Sequence, residues 1–94
     1  MQPDTREFAF LIDEEIESEK VCEVAKSVKK DLITDVIILD VYYGEKIPQN
    51  KKSIAIKVTI QPIKETLTDA ELEEISTQLI IAIHKKLSGS LREI

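Results

Sequence analysis

Asp40-Val41-Tyr42-Tyr43-Gly44 carries a carboxylate and two phenols to the end of an apolar run, and Lys51-Lys52-Ser53 opens the segment that returns. Residues two apart on a strand share a face, so Asp40 and Tyr42 point the same way. A carboxylate held there can accept two hydrogen bonds from the Watson–Crick edge of guanine, from N1–H and N2–H. A neighbouring tyrosine can stack on a base, worth about 1–3 kcal/mol. Lys46, Lys51 and Lys52 on the connecting loop and Lys57 on the returning strand can meet phosphates, which position a nucleic acid without specifying it. Sequence-specific RNA recognition takes hold of splayed, single-stranded bases in this manner.

Asp40 has no packing reason to stand among Ile37, Ile38, Leu39 and Val41. An unpaired buried carboxylate is costly, which puts Asp40 on an open sheet face. Spacing alone favours a plainer reading, an exposed aspartate and a tyrosine at a strand end. RNA-binding sheets of the ribonucleoprotein type set two or three aromatics on their central strands. Here those positions hold Ala9, Leu11, Ala55 and Lys57, which disfavours general single-strand binding by that mode.

Other chemistry finds little support. His84 has no ligand partner at metal spacing and reads as a surface residue. Cys22 flanks an apolar helical stripe and reads as packing. The acids of 13–19 and 69–74 gather at helix starts, where they complement the dipole, and neither run matches a calcium loop. An acylphosphatase-like site on this topology needs a phosphate cradle after the first strand, where Asp13-Glu14-Glu15 would repel it. No Ser–His–Asp set, glycine-rich phosphate loop or paired catalytic carboxylate stands out, so the chain by itself does not read as an enzyme.

The elements that position these residues follow from periodicity. Arg6 to Asp13 alternates as a strand, with Phe8, Phe10 and Ile12 on one face and Ala9 and Leu11 on the other. Ser18 is placed to cap a helix with Val21, Val24, Ala25 and Val28 at helical spacing, ending at Lys29-Lys30. Thr34 to Tyr43 is a second strand. Gly44 to Lys52, with Pro48 and Asn50, is a long exposed connection. Ser53 to Gln61 is the clearest strand, with Ile54, Ile56, Val58 and Ile60 facing one way. Thr68-Asp69-Ala70-Glu71 is a capping box. It opens a long helix with Leu72, Ile75, Leu79, Ala82, Ile83 and Leu87 inward, closed by Ser88-Gly89. Ser90 to Ile94 has room for one short edge strand.

The order is βαββαβ. The expected fold is α+β and ferredoxin-like, a four-stranded antiparallel sheet in the order 4-1-3-2 with both helices on one face. Simple parity puts Ile37, Leu39 and Val41 on the helix side of the second strand, and Ile38, Asp40 and Tyr42 on the open side with Ser53, Ala55 and Lys57.

Ninety-four residues make one domain, and 43% apolar content suits a packed core. The net charge of −5 at first argues against nucleic acid. Its distribution matters more. Residues 40–64 hold five lysines against Asp40 and Glu45, a local balance of +3 that leaves −8 for the rest. A basic segment on an acidic body can steer a polyanion to one place; an ordinary solvated hairpin accounts for the same count. No apolar run reaches the ~18 residues of a membrane span. The acidic N-terminus does not read as a signal peptide. One cysteine excludes an internal disulfide and fits a reducing cytoplasm.

Arg6-Glu7-Phe8-Ala9-Phe10-Leu11-Ile12-Asp13, Asp40-Val41-Tyr42-Tyr43-Gly44, Lys51-Lys52-Ser53-Ile54-Ala55 and Thr66-Leu67-Thr68-Asp69 stand in order and at family spacing. Together with the ending Ser90-Leu91-Arg92, they resemble the ferredoxin-fold anticodon-binding domain that closes the β subunit of bacterial phenylalanine–tRNA ligases. The resemblance spans nearly the whole chain. Tyr43, where charged residues are common in the family, and Glu7, in place of the usual Asp, depart from the pattern. The resemblance implies binding of the phenylalanine tRNA anticodon, whose first base is guanine, with Asp40 and Tyr42 on the base-reading face and Ser53 beside them. It further implies a parent enzyme that uses ATP and magnesium and pairs with an α subunit in a heterotetramer, with no cofactor in this domain. On that reading Met1 is an artificial start and the chain is a piece of a much longer subunit. Two alternatives rest on the fold alone. One is a regulatory or dimerising domain that binds a small ligand or protein, pairing its edge strand or an Ile38/Leu11 patch across a two-fold axis; the other is a protein-docking domain.

Overall fold

The computed structural model describes residues 2–92. Six elements follow in the expected order: β1 (Asp4–Asp13), α1 (Ser18–Val28), β2 (Ile33–Tyr42), β3 (Lys51–Ile60), α2 (Asp69–Leu87) and β4 (Ser90–Leu91). The four strands form one sheet in the order β2-β3-β1-β4, which is 4-1-3-2 read from the other edge. All pairings are antiparallel. Both helices pack on one side. Val21 and Ala25 of α1 and Leu72, Ile75, Leu79 and Ile83 of α2 share one core with Phe10, Ile12, Ile54, Ile56, Val58 and Ile60. Ile80, rather than Ala82, flanks that core from α2.

The second strand departs from simple parity. Its register against β3 slips twice, between Ile33 and Asp35 and between Ile38 and Asp40. The second slip leaves Leu39 as an extra residue, the mark of a β-bulge. Before the bulge Val36 and Ile38 pair with Val58 and Ile56 and pack toward the helices; after it Val41, opposite Ile54, does so. Ile37 and Leu39, expected inside, are 39% and 45% exposed. Ile38, expected on the open face, packs against the core, which removes the Ile38/Leu11 patch a dimer was to use. Asp40 and Tyr42 keep their expected face because the bulge restores their phase.

Two other expectations shift locally. Glu17 is the N-cap of α1 and makes no side-chain capping bond, while Ser18 is the first helical residue. The connection before β3 is not wholly exposed: Ile47 is buried and its N–H donates to the Gly44 carbonyl at 3.0 Å. The capping box of α2 forms as expected. Glu71 N–H donates to Thr68 Oγ1 at 3.1 Å, and Thr68 N–H donates to Glu71 Oε1 at 2.9 Å. Those backbone and hydroxyl contacts with Thr68 hold the Glu71 carboxyl below its ordinary value. Its help to the fold is therefore present above the ordinary carboxylate range and lost as pH falls through its folded pKa. Burial pushes the Cys22 thiol up, as suits a packing residue.

The turn from α2 to β4 sets the site described below. Ser88 takes the left-handed conformation at φ 54° and closes the helix with its N–H on His84 O. Gly89 follows because space demands it. A Cβ there would stand 2.7 Å from Ile83 Cγ2 and 2.9 Å from Ile12 Cγ2, both on fully buried side chains. Gly89→Ala is expected to cost about 1–3 kcal/mol through overpacking, read as a lower denaturant midpoint at unchanged slope. Only two strand residues of the expected Ser90–Ile94 edge are formed; Glu93 and Ile94 lie outside the described residues.

Candidate nucleic-acid interface

On the face away from the helices, register builds a pocket. Asp40 of β2 lies opposite Ala55 of β3, which lies opposite Ala9 of β1. Tyr42 lies opposite Ser53, which lies opposite Leu11. Two alanines at the centre leave a floor with larger side chains around it. The result is an open pocket of about 520 Å³ lined by Asp40, Tyr42, Glu45, Lys46, Ser53 and Arg92 above Ala9 and Ala55. The structure thus brings Asp40, Tyr42 and Ser53 together. Asp40 is exposed, and no hydrogen bond or ion pair among the described residues engages its carboxylate.

Arg92 is the residue that pattern reasoning missed as a site member. β4 pairs with β1 through Leu91–Phe10 and Ser90–Leu11. The Arg92 N–H then donates to the Ala9 carbonyl at 2.7 Å, which fixes the residue over the sheet centre. Its Nη1 donates to Ser53 Oγ at 3.2 Å, and its guanidinium carbon lies 5.7 Å from the Tyr42 ring centroid, within cation–π reach. Ser53 is only 3% exposed, and its Oγ accepts from Arg92, so it anchors that side chain in the pocket. The signal was present only in the ending Ser90-Leu91-Arg92; nothing in the spacing of a terminal arginine announces a site far back in the chain.

Gly44 places the tyrosine. The Tyr42 ring lies across its Cα, so a Cβ at Gly44 would stand 2.8 Å from Tyr42 Cε2 and nearer still to Cζ and Oη. The same turn carries Glu45 and Lys46 to the pocket rim.

The lysines divide. Lys51 and Lys52, expected on the loop, are the first residues of β3. Lys51 Nζ sits 2.6 Å from Asp13 Oδ1 on the adjoining strand and is engaged there. Lys52 lies opposite Ile12 on the helix-facing side and is 5% exposed, away from the pocket face. Lys57 is on the open face between Glu7 and Ile37, with no ion pair to any described residue. Among the described residues no three His, Cys, Asp or Glu side chains gather as a metal site, and no helix is long and apolar enough to cross a membrane.

A family model for the ferredoxin-fold anticodon binding domain matches residues 1–92. The chain is 45% identical over 91 residues to the phenylalanine–tRNA ligase beta subunit of Bradyrhizobium diazoefficiens, covering 97% of the chain and 11% of that protein. It is 42% identical over 91 residues to the same subunit of Rhodospirillum rubrum, with the same two coverages. Against the Rickettsia felis subunit it is 40% identical over 92 residues, 98% of the chain and 11% of that protein. The chain thus spans about a ninth of the length of these curated relatives. Topology, register and sequence agree, and the chain belongs to the ferredoxin-fold anticodon-binding domain family.

Proposed function

We propose that this chain is the tRNA-reading module of a longer phenylalanine–tRNA ligase β subunit, and that its open sheet face holds the anticodon of the phenylalanine tRNA. The observation that carries this reading is the pocket in which the Asp40 carboxylate, unpaired among the described residues, and the Tyr42 ring face the same space. The carboxylate accepts N1–H and N2–H of the first anticodon base, guanine, and the ring stacks on it. Lys46 at the rim and Lys57 along the face are better placed for phosphates than Lys51 or Lys52, which are spent on Asp13 and on the helix-facing side. The module performs no chemistry itself. Amino-acid activation, with ATP and magnesium, belongs to the remainder of a cytoplasmic parent enzyme and its α subunit.

Anisotropy titration of the chain with labelled anticodon stem-loops tests the reading, at low salt because phosphate contacts weaken steeply with ionic strength. The loop with guanine at the first anticodon position is expected to bind at least about fivefold tighter than loops with the other three bases, the lower end of one bidentate base contact. Equal affinity for all four would overturn it.

A further inference from the structure

The open face continues past the pocket along β2. The bulge leaves Leu39 beside Asp40, both against Ala55, and puts Ile37 opposite Lys57. Ile37 and Leu39 are thus two half-exposed aliphatic side chains on the face that water wets, next to a cation with no ion pair among the described residues. Asp35, opposite Thr59, closes the row beyond them, and Glu7 stands directly across from Lys57.

We propose that Ile37, Leu39 and Lys57 form a second nucleotide subsite. It takes the base adjoining the one held by Asp40 and Tyr42, laid on the two aliphatic side chains with its phosphate toward Lys57. The inference rests on the reading that this face binds RNA. Leu39 is three residues from Tyr42, about 10 Å along a strand, a separation that neighbouring unstacked bases can span. Apolar side chains hold extruded bases by their faces. They offer no donor or acceptor, so this subsite tolerates any base. Two side chains are too few for a protein interface, which needs about 1,000 Å², but they match one base. Asp35 repels a further phosphate, which limits the subsite to a single nucleotide.

The chain is titrated with the guanine-bearing anticodon stem-loop at low salt, following the methyl signals of Ile37 and Leu39 and the ring signals of Tyr42. Two further loops are each abasic on one side of the first anticodon position. The intact loop is expected to move all three residues. One abasic loop should abolish the Ile37 and Leu39 shifts, keep those of Tyr42, and bind about fivefold more weakly, the low end of the loss of one stacked base. Leu39→Ser should weaken the intact loop similarly and that abasic loop not at all, with guanine preference unchanged. Tyr42 shifts without Ile37 or Leu39 shifts would overturn the subsite and leave the anticodon reading standing. No shift at any of the three would overturn both.

Discussion

Asp40→Asn is expected to remove the preference for guanine at the first anticodon base and to do so without weakening the other loops. The carboxylate presents two acceptors to two donors, N1–H and N2–H. The amide keeps one acceptor and turns an NH₂ toward a donor, so one hydrogen bond is lost and one like-facing contact is made. A bidentate side-chain–base contact is worth about 1–3 kcal/mol of discrimination, or about five- to 150-fold. The same change removes a negative charge from the surface proposed to meet phosphates, which favours every loop slightly. Guanine loops therefore fall while adenine, cytosine and uracil loops hold or rise. A pure charge effect would raise all four, and damage to the fold would lower all four. Asp40 is exposed, so the fold does not depend on it. In the parent ligase the same variant should raise the KM for tRNA and leave amino-acid activation untouched; a retained guanine preference would remove Asp40 from the reading role.

How much of this was legible in the chain depended on which force fixed each residue. Ile54, Ile56, Val58 and Ile60 alternate without interruption, and β3 buries them as alternation requires. The capping box is a local contact between Thr68 and Glu71, so it too could be read directly. The second strand is apolar on both faces from Val36 to Leu39. Period-two reasoning has no polar marker there. The slip between Ile33 and Asp35 inverted the inside and outside of that stretch, and the bulge at Leu39 turned it back. Asp40 and Tyr42 were still placed correctly because a carboxylate marks its own face by the cost of burial. Arg92 and Lys46 reach the pocket through tertiary geometry, one by edge-strand pairing with β1 and the other by a turn closed on Gly44 and Ile47. Neither route leaves a periodic trace. The lysine pair divides because adjacent residues at the start of a strand point to opposite faces, so Lys51 and Lys52 do not share the pocket face.

Tyr42→Ala is expected to weaken binding of the guanine loop by about five- to 150-fold, the 1–3 kcal/mol that stacking on one base is worth. Tyr42→Phe should retain most of that affinity, because in the proposed contact the ring and not the hydroxyl meets the base. Gly44→Ala separates having the ring from having it in place. Its Cβ would occupy the space of Tyr42 Cζ and Oη, so the ring must swing off the position it holds under Arg92. The backbone at Gly44 is not in the left-handed region, so alanine brings no conformational strain and the fold should keep its stability. Gly44→Ala is therefore expected to lose part of the affinity that Tyr42→Ala loses, and the two changes together should cost no more than Tyr42→Ala alone. The chain has no tryptophan and only Tyr42 and Tyr43, so in a Tyr43→Phe background tyrosine fluorescence reports on Tyr42 by itself. A shifted emission intensity in Gly44→Ala with wild-type affinity would show that the base finds the ring wherever it lies. A loss of affinity that adds in full to that of Tyr42→Ala would show that Gly44 acts on the RNA by another route.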